Sequence, residues 1–118
     1  MRIYTTQKKV DRDIKDGILI INDDVKFDFP NVVIRGSIFA QNIYAKGDIK
    51  VQGDINAFNL DIKGILEALN IKAYNIKAKG INARDINAID IFIEARREKY
   101  FKPIYLDSKI EIKKQIKK

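Results

Sequence analysis

The sequence predicts an all-β fold, a single-stranded triangular β-helix (solenoid) of about 16–17 residues per coil whose irregular terminal segments act as caps. Three observations lead there. A short phrase recurs between Gly36 and Ile93, as in Ile71-Lys-Ala-Tyr-Asn75, Ile76-Lys-Ala-Lys-Gly80 and Ile81-Asn-Ala-Arg-Asp85. Each phrase has a large aliphatic and a smaller inward residue spaced by two, then a turn former, which describes a strand and a corner. Second, the corners sort into three columns: Gly47, Gly64, Gly80; Asn42, Asn59, Asn75, Asp90; and Gly36, Gly53, Asn70, Asp85. Four sides would mix Gly and Asn in most columns, so three are expected. Third, inward positions stack like on like. Ile38, Ile55, Ile71 and Ile86 lie beside Ala40, Ala57, Ala73 and Ala88. Ile43, Leu60, Ile76 and Ile91 lie beside Ala45, Ile62, Ala78 and Ile93, and Ile49, Leu66 and Ile81 beside Val51, Ala68 and Ala83.

Taken in chain order, the 118 residues form one domain, long enough for about six coils. Residues 1–16 read as an irregular lead-in with a short first strand around Arg2 to Thr6. Residues 17–93 hold the regular coils. Gly17 opens Ile18-Leu-Ile-Ile21, Asn22-Asp23-Asp24 turns the chain, and Val25, Phe27 and Phe29 alternate inward before Pro30. Val32 and Ile34 follow between corners at Asn31 and Gly36. Phe and Val here replace the later Ala, which implies a wider bore or a capped end. Gly and Asn tolerate positive φ, and an Asn column adds hydrogen bonds from coil to coil. Four corners carry one extra residue, Ser37, Asp48, Asp54 and Ile65, and are expected to bulge. Residues 94–118 read as an irregular last coil and a basic tail, with Glu94 to Lys99 the only helix-compatible stretch.

Composition narrows the function. No apolar run of about 18 residues is present to span a membrane. No apolar leader precedes Val10, and the absence of cysteine excludes disulfides and thiolate metal sites. Cytoplasmic residence is expected. Residues 1–12 carry four basic and one acidic side chain, and residues 108–118 five lysines and one glutamate, which accounts for the whole surplus of +7. The coil body is neutral. The basic ends, Lys113, Lys114, Lys117 and Lys118 among them, either solvate the chain or meet an anionic surface, a membrane or a nucleic-acid-bound protein.

Catalytic chemistry is not expected. There is no histidine, and Ser37, Ser108, Thr5 and Thr6 have no evident activating partner. The glycines are spaced as corners and not as a phosphate loop, and Asp23-Asp24 and Asp11/Asp13 read as solvated turns. No cofactor, metal or small-molecule substrate is implied. The outward positions say more. Phe58, Tyr74 and Ile89 stack just before the Asn corners with Gln41 above them, and Phe39, Tyr44 and Phe92 also point outward. Such a stripe marks a protein partner surface, unless a terminal segment folds over it. Lys46, Lys63 and Lys79 form a second outward column that either follows an anionic partner or keeps an open face soluble.

The run Ile43-Tyr-Ala-Lys-Gly47-Asp-Ile49-Lys-Val-Gln-Gly53-Asp-Ile55 resembles the bactofilin, or polymer-forming cytoskeletal, family over about residues 31–93. The resemblance implies a right-handed triangular β-helix that assembles end to end into filaments without nucleotide. The chain departs from that pattern where bactofilins have short disordered tails: both ends look structured, and Tyr100 to Ile112 is placed to cap one of them. Pentapeptide-repeat proteins, which bind nucleic-acid enzymes, are similar in step length, though their Ala precedes their Leu while Ile precedes Ala here. Two functions are therefore expected: a self-assembling, non-catalytic scaffold, or a capped binding module such as a phage-type inhibitor of a nucleic-acid enzyme or other host protein.

Overall fold

The recurring phrase forms short parallel strands, and each pairs with strands one coil away instead of with its neighbours in sequence. The computed structural model describes residues 1–93 and the strand 109–112. Its elements are β1 (Arg2–Tyr4), α1 (Gln7–Asp13), β2 (Ile18–Ile20), β3 (Val25–Phe27), β4 (Val32–Ile34), β5 (Ser37–Phe39), β6 (Asn42–Ala45) and β7 (Ile49–Val51). They continue as β8 (Asp54–Asn56), β9 (Asn59–Ile62), β10 (Ile65–Lys72), β11 (Asn75–Ala78), β12 (Gly80–Ala88), β13 (Asp90–Ile93) and β14 (Lys109–Ile112). The first side of the solenoid is β2, β5, β8 and the second halves of β10 and β12, followed by β14. The second side is β1, β3, β6, β9, β11 and β13. The third is β4, β7 and the first halves of β10 and β12. All of these pairings are parallel. Among the described residues four complete coils and two sides of a fifth result, with β14 continuing the first side one level further.

The register follows the predicted columns. Ile38 pairs with Ile55, Ile55 with Ile71 and Ile71 with Ile86, while Ile43, Leu60, Ile76 and Ile91 pair in the same way. Every residue of the stacked inward columns is buried, Ala73 and Ala78 included, while Phe29 packs half-buried against this core. One large and one small side chain per strand fill a narrow triangle; each buried Ile contributes about 1.5–3 kcal/mol, so stability accumulates only by stacking.

Three details differ from expectation. Asn70 pairs with Asp54 and not Gly53, and Gly80 pairs with Ile65 and not Gly64. The extra residue of the earlier corners takes up the offset, and where it is missing β10 and β12 run through the corner as one strand. Secondly, positive φ occurs among the described residues only at Asp16, Asn31, Gly17 and Gly36. Gly47, Gly53 and Gly64 serve close approach instead. A Cβ on Gly64 would collide with the Asp48 side chain and lie 2.7 Å from its backbone nitrogen.

Thirdly, the lead-in is not irregular. The expected strand at Arg2 forms, and α1 follows it, capped by Thr6, whose hydroxyl accepts from the Lys9 N–H at 3.4 Å. Val10 is the helix's one buried residue, too faint an amphipathic signal to read. Docking on the coil end sustains a helix this short. There the bore holds Phe27 and Tyr4, stacked 5.5 Å apart. The Tyr4 hydroxyl donates to Asp13 Oδ2 at 2.8 Å. Burial, then this bond to a carboxylate, pushes Tyr4 up to about 12, and the same bond leads in holding Asp13 below the usual carboxylate range. The helix-compatible stretch Glu94 to Lys99 lies outside the described residues, as does the segment given a capping role, Tyr100 to Ile112, except for its last strand β14.

Candidate interaction surface

Corner geometry creates the outward columns. Backbone bonds run from coil to coil at the corner between the first and second sides: Phe58 N–H to Gln41 O (2.7 Å), Tyr74 N–H to Phe58 O (2.8 Å) and Ile89 N–H to Tyr74 O (2.9 Å). The side chains of this column are thereby held one coil apart, about 4.8 Å. Phe58 and Tyr74 stack with ring centroids 5.4 Å apart and planes 16° from parallel, and they are 50% and 56% exposed. Because the ring faces meet each other, the edges point to solvent, and the column is an apolar ridge and not a flat platform. Ile89 ends the ridge half-buried.

Beside the ridge runs the predicted asparagine ladder. Asn75 Nδ2 donates to Asn59 Oδ1 (2.8 Å), Asn59 Nδ2 to Asn42 Oδ1 (2.7 Å), and Asn42 Nδ2 to Asp24 Oδ1 (2.9 Å). All the amides point the same way, so the foot needs an acceptor alone, and a carboxylate stands there. The extra corner residues build shorter ladders. Ser37 Oγ accepts from Asp54 N–H (3.0 Å), Asp54 Oδ1 from Asn70 Nδ2 (2.8 Å), and Asp48 Oδ1 from Ile65 N–H (2.8 Å). The sequence shows these as bulged corners; their bonding role follows only from the register.

The second side gathers most of the predicted residues. Ridge and Asn ladder border one edge, and Tyr44 and Phe92 stand half-buried on its outer face with Asp61 and Lys77 between them. Lys77 Nζ lies 5.8 Å over the Phe92 ring. Lys46, Lys63 and Lys79 border the other edge. Lys46 holds Asp28 at 3.5 Å and Lys63 holds Asp61 at 3.6 Å, so this column is less positive than its sequence suggests. Phe39 falls across the ridge on the first side, 45% exposed and paired with Ile20, which is 59% exposed. Ile20 is not among the expected surface residues, although it has the same strand parity as Phe39. Lys113, Lys114, Lys117 and Lys118 lie outside the described residues. Among the described residues no helix is long and apolar enough to cross a membrane.

The fold and its stacked parallel sides define the class: this is a β-solenoid. Compared with known protein families, with curated proteins and with solved structures, the chain matches none.

Proposed function

We propose that the protein is a non-catalytic β-solenoid binding module whose second side and bordering aromatic ridge receive a protein partner. The observation that carries this reading is the Phe58–Tyr74 stack, two aromatic side chains half-exposed on a rigid backbone ladder. Aromatic anchors held in place before binding lose little entropy on contact and dominate interface energies. Phe58 and Tyr74 each expose about half of roughly 150–250 Å², and Phe39 and Ile20 expose a similar fraction across the ridge on the first side. The partner presents an apolar groove for the ridge and acidic groups toward the lysine edge, as the face of a nucleic-acid enzyme does for an inhibitor. Cytoplasmic residence, consistent with the cysteine-free composition, belongs to the same reading.

The scaffold reading, with its bactofilin-like assembly, rests on the uninterrupted parallel sheets, which offer edges of one polarity at the two ends. The N-terminal cap favours the module instead. Sedimentation separates the two: a monomer or dimer across salt concentrations supports the module, long oligomers the scaffold. For the surface itself, Tyr74→Glu places a charge on the ridge and is expected to cut partner capture at least about ten-fold, while Lys9→Glu on the exposed face of α1 leaves it unchanged. Equal capture by both variants sinks the ridge assignment.

A further inference from the structure

The second side carries a row of outward residues whose chemistry reads the same from either end. The register fixes the row: Tyr44 of β6 lies opposite Asp61 of β9, Asp61 opposite Lys77 of β11, and Lys77 opposite Phe92 of β13. Each step is one coil, about 4.8 Å. Along the solenoid axis the order is therefore aromatic, acid, base, aromatic. Tyr44, Asp61 and Phe92 are half-buried and Lys77 is exposed, so all four present atoms to solvent. Asp61 Oδ1 makes no hydrogen bond among the described residues, and Lys63 Nζ stands 3.6 Å from it. A carboxylate oxygen placed in this way gains from a further cation. The bordering ridge has the same symmetry of type. Of its four levels, Gln41, Phe58, Tyr74 and Ile89, the two rings occupy the middle pair.

We infer, building on the reading of this face as a protein-binding surface, that the free protein covers it with a second copy of the chain. The two copies form a closed two-fold dimer, face to face, whose axis runs parallel to the strands between β9 and β11. A half-turn about that axis keeps the strand direction and reverses the order of the coils. Asp61 then meets the second copy's Lys77, and Lys77 its Asp61. Tyr44 and Phe92 meet in the same reciprocal way. At the edge Phe58 meets Tyr74 and Tyr74 meets Phe58, which brings four rings together. Such reciprocal contacts are what an isologous interface requires. Charge selects the axis. A half-turn about the solenoid axis would set Asp61 against Asp61 and Lys77 against Lys77, and facing like charges oppose it. The lysine edges lie at the rim, where Lys46 holds Asp28 and Lys63 holds Asp61 within each copy. A side of about six residues by four levels gives roughly 400 Å² per copy, about half of what a standard interface buries on each partner. The dimer is therefore weak, and a partner with a better groove for the ridge displaces the second copy.

Sedimentation equilibrium of the full chain, from about 10 µM to about 1 mM, tests the pairing. The wild-type weight-average mass is expected to rise toward twice that of the monomer and no further. Asp61→Lys and Lys77→Asp each set like charges at both crossings and are expected to weaken the dimer at least about ten-fold. Mixed in equal amounts, the two variants pair with each other as tightly as the wild type does. One copy then brings two lysines to the crossings and the other two aspartates, a rescue that non-specific association does not give. If either reversal loses its strand signal in circular dichroism, Asp61→Asn and Lys77→Gln replace them. Each then dimerises more weakly than the wild type, and their mixture regains one of the two ion pairs and part of the affinity. A wild type that stays at monomer mass throughout, as when another part of the chain covers the face, overturns the dimer. So does a mass that grows past two copies, or a pair of weakened variants that mixing does not rescue. The partner reading stands or falls separately, on capture by Tyr74→Glu.

Discussion

Asn59 sits in the middle of the ladder that ties three coils and the turn below them together, and replacing it tests whether those amides stabilise the stack. It donates to Asn42 at 2.7 Å and accepts from Asn75 at 2.8 Å, so Asn59→Ala deletes two hydrogen bonds. Each is worth about 0.5–1.5 kcal/mol net, and the exposure of Asn59 and Asn75 places both bonds in the lower half of that range. The expected loss is about 1–2 kcal/mol, read as a fall of about 1 M in the urea midpoint at unchanged slope. Asn56→Ala, at an exposed outward position of the first side, is the control and changes stability by less than about 0.5 kcal/mol. Asn59→Asp sharpens the test. It keeps the acceptor for Asn75 but sets a carboxylate against Asn42 Oδ1, so it loses at least as much as Asn59→Ala at neutral pH. It recovers part of that as acid restores a donor. If Asn59→Ala and Asn56→Ala cost the same, the ladder is ornament and the coils are held by bore packing and backbone bonds alone.

Two other perturbations follow from the same geometry. Gly64→Ala drives a methyl into Asp48, whose carboxylate holds the Ile65 N–H, and is expected to cost at least about 2 kcal/mol. Gly47→Ala meets Pro30 Cα at 3.3 Å and costs less than about 1 kcal/mol; equal melting shifts would refute the close-approach account. Tyr4 titrates near 10.0 in the unfolded chain and about 12 when folded, so its stabilisation is complete below pH 10 and fades as pH rises toward 12. Asp13 has the opposite sign: its contribution is present above its ordinary value of 3.8 and is lost as pH falls through the lowered folded value. Tyr4→Phe should flatten the alkaline limb of stability against pH, by on the order of 2 kcal/mol. An unchanged limb would remove Tyr4 as its cause.

The coils were legible because a bore this narrow accepts few side chains. Ile71 and Ala73 repeat in type at every coil since each must fill the same space one level on, and periodicity exposes that directly. The aromatic ridge was legible for the same reason, since Phe58 and Tyr74 share a column with no place in the bore. That the terminal segments cap the coils was expected, but what the N-terminal cap is made of was not legible. Nothing in Gln7-Lys-Lys-Val-Asp-Arg-Asp13 marks a helix strongly, and no local rule shows that the Gln7 amide bonds Val33, 26 residues away. Nor does charge counting show that Lys46 and Lys63 already hold carboxylates.

The sequence alone determined the number of sides, the length of a coil, the residues of the bore and the outward columns. All of these follow from short-range alternation and repetition, which a linear chain carries openly. Tertiary structure decided how the extra corner residues shift the register, which corners vanish into β10 and β12, and how the coil end is closed. Those depend on hydrogen-bonding groups brought together from distant positions, and no period in the chain encodes such a meeting.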